Sequence, residues 1–335
     1  MRNSPPEPAS QTAAALAAAV EAGLRAAARA LGRAPSICVG FSGGLDSTLL
    51  LHLLAAHCRQ AGISLSALHV HHGLSANADA WERHCAAICT ELRVGLRVVH
   101  ATVNRAPRTS LEEEARRARH RAFADVSADV IALAHHADDQ AETVLLQLLR
   151  GAGPKGLAGM PLLKPPAAGG GALLLRPLLE FSRAALAAHA LEQGWRWIED
   201  ESNQDDSFKR NFLRNQVMPM LRAGFPAPAE TLGRAARHQA EAARLLDALA
   251  DIDLAAADSG EARALDVETL KRGDDERMKN ALRRWLDRAG LRQPSEARLA
   301  ALVRALRDSS NDTRLRWEHE GVFLVRRKGL LHLES

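Results

Sequence analysis

Two clusters in this 335-residue chain have residue types and spacing suited to chemistry. The first is Ser42-Gly43-Gly44-Leu45-Asp46-Ser47. Paired glycines let backbone N–H groups approach an anion with no Cβ in the way, and a helix opening there adds a favourable dipole. The serine hydroxyls can donate to phosphate oxygens. Asp46 is the odd member, because a carboxylate beside phosphates repels them unless Mg²⁺ lies between. The cluster therefore reads as a phosphate loop with a metal ligand. It is not a Walker A loop, since no Gly-x4-Gly-Lys-Ser/Thr occurs in the chain. The plainer reading is a glycine turn with an Asp/Ser cap.

The second cluster is His135-His136-Ala137-Asp138-Asp139-Gln140-Ala141-Glu142. Asp139 and Glu142 are three apart and share one face of a helix. The imidazoles and carboxylates could hold a metal, or Asp138 and Asp139 could simply cap the helix and complement its dipole. Further on, Arg210, Asn211 and Arg214 put two arginines on one helical face. These point to an anion of ATP or RNA, or to ion pairs with Asp205, Asp206 or Glu201. His69, His71 and His72 cluster at a strand end, where a packed or substrate-lining role is preferred over zinc. Cys38, Cys85 and Cys89 read as small buried residues. Trp195 and Trp197 suit base stacking or a core equally.

The elements that position these residues alternate. Strands are expected at 36–42, 63–70, 96–103, 129–134 and 173–178. Helices are expected at about 12–32, 47–58, 79–92, 110–126, 138–150 and 182–192. Strand and helix in alternation mean βα units and a parallel sheet with helices on both faces. Residues 151–172 are rich in Gly and Pro and read as a long loop. Beyond Pro226 the chain is mostly helical, with strand character at 322–333. This divides it into a leader and helix at 1–29, an α/β domain at 30–225 and a small, mostly helical domain at 226–335.

Composition narrows the class. Hydrophobic residues at 47% and charged residues at 25% are those of a globular protein. No apolar run reaches the roughly 18–20 residues of a spanning helix, so a soluble protein without membrane contact is expected. Four cysteines exclude a disulfide scaffold and fit a reducing cytoplasm. The net charge of +4 permits a polyanionic partner without requiring one. Residues 226–270 carry four Lys/Arg against nine Asp/Glu, whereas 271–335 carry sixteen against ten. A basic terminal half could meet phosphates.

The SGGLDS loop resembles the pyrophosphate loop of the N-type ATP pyrophosphatases, which cleave ATP between its α- and β-phosphates. Other segments narrow the resemblance. They are HVHHGLS at 69–75, EEARRAR at 113–119, HHADDQAET at 135–143, LLRGAG at 148–153, GLAGM at 156–160, RPLL at 176–179, EDESN at 199–203 and RNFLR at 210–214. Together and in this order they resemble the tRNA(Ile)-lysidine synthetases over about residues 36–222. The region 299–333 resembles that family's substrate domain more loosely. The chain ends at Ser335, so the further domain of longer members is expected to be missing.

The resemblance implies a Rossmann-like adenine nucleotide α-hydrolase fold. It also implies a ligase that uses ATP and Mg²⁺. The wobble cytidine of an isoleucine tRNA with a CAU anticodon is adenylated on its ring carbonyl with release of pyrophosphate. The ε-amine of free L-lysine then displaces AMP, giving lysidine and changing codon reading from AUG to AUA. By the same resemblance Ser42, Gly43, Gly44, Leu45, Asp46 and Ser47 bind ATP, with Asp46 holding Mg²⁺. Asp139 and Glu142 hold lysine, and Arg210, Asn211 and Arg214 contact substrate. Asp46, His135, Asp139 and Glu142 form the catalytic set, with the base a carboxylate, His135 or water. Oligomeric state is left open, a homodimer among the options. Two rivals stand beside this reading. A thiolase or similar ATP-dependent tRNA modifier is disfavoured by the lack of any CxxC. A non-catalytic tRNA-binding protein is disfavoured by the intact loop and carboxylates.

Overall fold

The computed structural model describes residues 8–73, 75, 77–101, 111–166, 170–199, 205–206, 208–310 and 315–334. Expectations for Leu74, 102–110, Glu201 and the rest of 200–204 lie outside the described residues. The chain forms two compact units, Met1–His238 and Gln239–Ser335, dividing inside a long helix. The sequence reading put this division near 225.

The first unit begins with helix α1 (Pro8–Leu31). Four βα repeats follow: β1 (Ile37–Gly40), α2 (Leu45–Ala61), β2 (Leu65–His71), α3 (Ala78–Leu92), β3 (Gly95–His100), α4 (Leu111–Ala124), β4 (Val130–Ala132) and α5 (Ala137–Leu148). Then come α6 (Pro154–Leu157), β5 (Leu163–Lys164), β6 (Leu173–Leu175), α7 (Arg183–Glu192), α8 (Lys209–Phe212), a π-helical turn at Leu213–Val217 and α9 (Met218–Gly224). Helix α10 (Pro228–Ala256) spans the division between the units.

The sheet runs β3-β2-β1-β4-β6-β5, parallel except for the short edge strand β5, which pairs antiparallel to β6. Alternation along the strands sends side chains to both faces. Ile37, Val39 and Phe41 pack with Leu16, Val20 and Leu24 of α1, with α2, and with Leu186 of α7. Cys38, Leu68 and Ile131 pack with Ala122 and Phe123 of α4 on the other face. Burial on both sides accounts for the unbroken apolar runs of β1 and β4. Helix α1 thus belongs to the core of this unit. The sheet is wound outward from β1 to β3, then crosses to β4. The C-terminal ends of β1 and β4 therefore flank the switch point, where open α/β sheets form their ligand crevice.

The second unit holds β7 (Ala264–Asp266), α11 (Val267–Leu270), α12 (Asp275–Arg288), α13 (Glu296–Asp308), β8 (Leu315–His319), β9 (Val322–Arg327) and β10 (Leu330–Glu334). Its antiparallel sheet, ordered β7-β10-β9-β8, shares a core of Leu265, Leu282, Leu286, Leu302, Leu306, Leu324 and Leu331 with the helices. The unit is thus helical with a four-stranded sheet, more β structure than the sequence indicated. Among the described residues no helix is long and apolar enough to cross a membrane.

Candidate active site

The loop Ser42–Ser47 joins β1 to α2 at the switch point. Gly43 has φ +85°, and a Cβ there would meet Ile198 Cδ1 at 2.8 Å and Cys85 Sγ at 2.9 Å. Only glycine fits. The Gly43 carbonyl accepts from the Ile198 amide at 2.9 Å and from Thr48 Oγ1 at 3.2 Å, which fixes the loop from both sides. Ser42 and Ser47 lie Oγ to Oγ at 3.1 Å, and Ser47 Oγ donates to the Gly44 carbonyl at 3.0 Å. Gly44 caps α2 without any side-chain bond, so no side chain competes with an incoming anion for the first-turn amides.

Asp46, on the first turn of α2, is largely buried. Burial raises its pKa above the ordinary carboxylate value, although His136 and Arg183 oppose the shift. Its Oδ1 is buried without a hydrogen-bond partner, while Oδ2 lies 3.7 Å from His136 Nε2 and 3.9 Å from Arg183 Nε. A buried, unpartnered carboxylate oxygen beside a phosphate loop fits a divalent cation shared with phosphates.

Helix α5 opens at the end of β4 with a reciprocal cap. His136 Nδ1 accepts from the Asp139 amide at 3.4 Å, and Asp139 Oδ2 accepts from the His136 amide at 3.1 Å. The capping reading of Asp139 is therefore realised, but capping uses only one of its oxygens. The other, Oδ1, accepts from Arg210 Nη2 at 3.0 Å and Arg214 Nη2 at 3.1 Å. Glu142 is fully buried and accepts from Arg210 Nε and Arg214 Nε at 2.7 Å each and from Arg214 Nη2 at 3.0 Å. Two carboxylates and two guanidiniums thus form one network. In both arginines the bonds run through Nε and Nη2, leaving Nη1 uncommitted to these carboxylates. Burial resists ionisation of Asp139, yet His136, Arg210, His135 and Arg214 together hold its pKa below the ordinary value. Asp46 and Asp139 are therefore pushed in opposite directions while His136 lies between them.

The remaining expected residues take other places. His135 has a buried Nδ1 without a partner, and burial pushes its pKa down to about 4, so its imidazole is neutral at neutral pH. Asn211 donates to the Asp205 carbonyl at 2.9 Å. His69 is buried, with Nδ1 2.9 Å from the Phe41 carbonyl and 3.5 Å from Cys85 Sγ. Trp195 stacks on His52 at 4.3 Å between ring centroids and, like Trp197, packs against the core.

Two residues, Arg183 and Arg222, escaped the sequence reading, and His136, named there only as a possible metal ligand, takes a larger part. His136 bridges the two halves of the site. Arg183 donates its amide to Asp138 Oδ2 at 2.7 Å, and Arg222 pairs with Asp138 Oδ1. A pocket of about 620 Å³ opens beside them, lined by His136, Glu142, Arg183, Arg214, Arg222 and Phe225. Nothing local in the sequence marks Arg183 or Arg222. Gln140 explains another motif. Its amide exchanges hydrogen bonds with the Met160 backbone at 2.8 and 2.9 Å, and a Cβ on Gly159 (φ +65°) would lie 2.7 Å from Gln140 Oε1.

Similarity to known proteins covers both units. The PP-loop domain family matches residues 16–221, and the TilS substrate binding domain matches 265–332. A tRNA(Ile)-lysidine synthase of Pseudomonas fluorescens is 46% identical over 88% of this chain and 67% of its own length. One from Pseudomonas putida is 47% identical over 88% of this chain and 70% of its own, and one from Burkholderia pseudomallei 48% over 85% and 58%. A solved U34-tRNA thiolase of Methanococcus maripaludis with a [4Fe-4S] cluster superposes with a TM-score of 0.53 at 18% identity. It covers 67% of this chain and 80% of its own and shares the fold. With its glycine loop at the switch point and identity extending through both matched domains, the chain belongs to the PP-loop family of tRNA(Ile)-lysidine synthases.

Proposed function

We propose that the protein ligates lysine to the wobble cytidine of isoleucine tRNA bearing a CAU anticodon, using ATP and releasing pyrophosphate and AMP. The observation that carries the reading is the pairing of the phosphate loop and Asp46 with the Asp139–Glu142–Arg210–Arg214 network across one switch point. The relatives named tRNA(Ile)-lysidine synthase support it over a thiolase or a non-catalytic tRNA binder.

The amides and hydroxyls of Ser42–Ser47 bind the phosphates, and fixing the loop against Ile198 and Thr48 removes the need to reorganise it during reaction. Asp46 would hold Mg²⁺, which when bound offsets charge on the leaving pyrophosphate. The cytosine carbonyl oxygen attacks the α-phosphorus, and pyrophosphate leaves. The lysine ε-amine then attacks the activated ring carbon and AMP leaves with its electron pair. Lysine arrives as an ammonium of pKa ~10.4 and must lose a proton first. Asp139 and Glu142 hold that amine, while Arg210 and Arg214 exchange carboxylate for substrate phosphate. His135, pushed down to about 4, is neutral at neutral pH, and Asp139, held below the ordinary carboxylate value, is no stronger a base, so basicity does not separate His135, a carboxylate and water as acceptors of the ammonium proton. The experiment is single-turnover pyrophosphate release with tRNA and lysine varied separately. Release that needs tRNA but not lysine, followed by lysine-dependent AMP release, is expected; release indifferent to tRNA refutes the reading.

A further inference from the structure

A second group of metal-type side chains lies at the same edge of the sheet but beyond β1, away from Asp46 and Asp139. β2 and β3 pair in parallel with His71 opposite His100. Being in register, the two imidazoles project from the same face and stand 4.7 Å apart between centroids. Glu82 of α3 reaches them, its Oε2 3.5 Å from His100 Nε2. Asp79, one turn earlier, places Oδ1 3.0 Å from His71 Nε2. One donor atom from each of His71, Glu82 and His100 lies within 4.8 Å of the others.

We propose that His71, His100 and Glu82 form a binding site for a divalent transition metal of the Zn²⁺ type, with Asp79 as an adjoining carboxylate. Two imidazoles and a carboxylate select zinc or cobalt over Mg²⁺ and Ca²⁺, which prefer all-oxygen shells. Tetrahedral zinc with bonds of about 2.0–2.1 Å needs donors roughly 3.3 Å apart. The widest donor pair must therefore close by up to about 1.5 Å. His100 and Glu82 have side chains 66% and 31% exposed, so rotamer shifts suffice without moving the sheet. A metal there would tie β3, an edge strand, to α3. Helix α3 is also the element whose Cys85, one turn beyond Glu82, packs where a Gly43 Cβ would lie. The site would therefore brace the helix that backs the phosphate loop. It does not depend on the reaction proposed above.

The test uses the full chain, freed of metal by chelation and titrated with Zn²⁺ in a calorimeter, with Co²⁺ as spectroscopic substitute. One Zn²⁺ per chain with a Kd below about 10 μM is expected, and tetrahedral Co²⁺ absorption without thiolate charge-transfer bands. His100→Asn and Glu82→Gln should each raise the Kd about tenfold or more. His100 is a surface side chain, and retained ATP binding by that variant shows that it is folded. Wild-type affinity weaker than 10 μM, an unchanged Kd in His100→Asn, or cysteine-to-cobalt absorption overturns the proposal.

Discussion

Replacing Glu142 by glutamine tests the four-residue network most sharply. The carboxylate is buried and receives three guanidinium hydrogen bonds. Glutamine keeps the shape and one acceptor but turns an N–H group toward a guanidinium. Removing one partner of a buried pair typically costs 3–5 kcal/mol. Here the loss is smaller, because the Arg210 and Arg214 side chains are 29% and 32% exposed and both retain Asp139. About 2 kcal/mol of stability is expected, within the range for one charge-assisted bond. If the carboxylate also holds lysine, the same interaction is lost from the second half-reaction. The KM for lysine should then rise about ten- to a hundredfold while tRNA-dependent pyrophosphate release stays within a few fold. The assay is labelled-lysine incorporation at saturating ATP and two Mg²⁺ concentrations. An unchanged lysine KM in a folded variant puts the amino-acid site elsewhere. Activity restored by excess divalent ion would mean that the carboxylate serves a metal.

Asp46→Asn should abolish pyrophosphate release while tRNA still binds; wild-type turnover would remove Asp46 from metal binding. Because burial raises the pKa of Asp46, the folded state disfavours its ionised form. Thermal melts without ligand should therefore show Asp46→Asn more stable at neutral pH, the difference shrinking as pH falls through the raised pKa and both side chains become neutral. The double variant Cys85→Ser, Cys89→Ala should keep turnover within a few fold. Burial pushes these thiols to about 12 and about 11, so neither is a thiolate at neutral pH; loss of chemistry in the folded protein would favour sulfur transfer. Residues Ala229 and Leu232 pack with Ala141 and Leu145 of α5, so a chain ending at His238 keeps the first unit's core where one ending at Ala223 does not. The chain ending at His238 should bind ATP but bind tRNA at least tenfold more weakly than the full chain, and full-length tRNA binding should fall steeply with salt. Equal tRNA affinity for both chains would deny the second unit a role in recruitment.

What could be read from the sequence was local. The glycine loop declares itself because Gly43 needs a positive φ and an absent Cβ, and the βα repeats because strands buried on both faces are uninterrupted apolar runs. Asp139 and Glu142 share a helix face by spacing alone. Their partners are another matter. Arg210 and Arg214 lie about seventy residues away, and Arg183 and Arg222 meet Asp138 only because the chain folds back over the sheet edge. No periodicity records that return, so Asp205 and Asp206 looked equally good as partners for the arginines. The loop at 151–172 hid α6 and β5 because four- and two-residue elements carry no repeat. In the second unit β8, with the sequence LRWEH, alternates apolar with charged residues and is short enough to pass for a turn.

Lysine ligation is read out by incubating the full chain with ATP, Mg²⁺, labelled lysine and an isoleucine tRNA carrying a CAU anticodon, followed by nucleoside mass analysis. One lysine-labelled modified cytidine per tRNA is expected, with one pyrophosphate and one AMP released for each, and none when the wobble cytidine is replaced by uridine. A sulfur-containing nucleoside, or tRNA that binds tightly yet returns unmodified while ATP stays intact, would contradict lysine ligation.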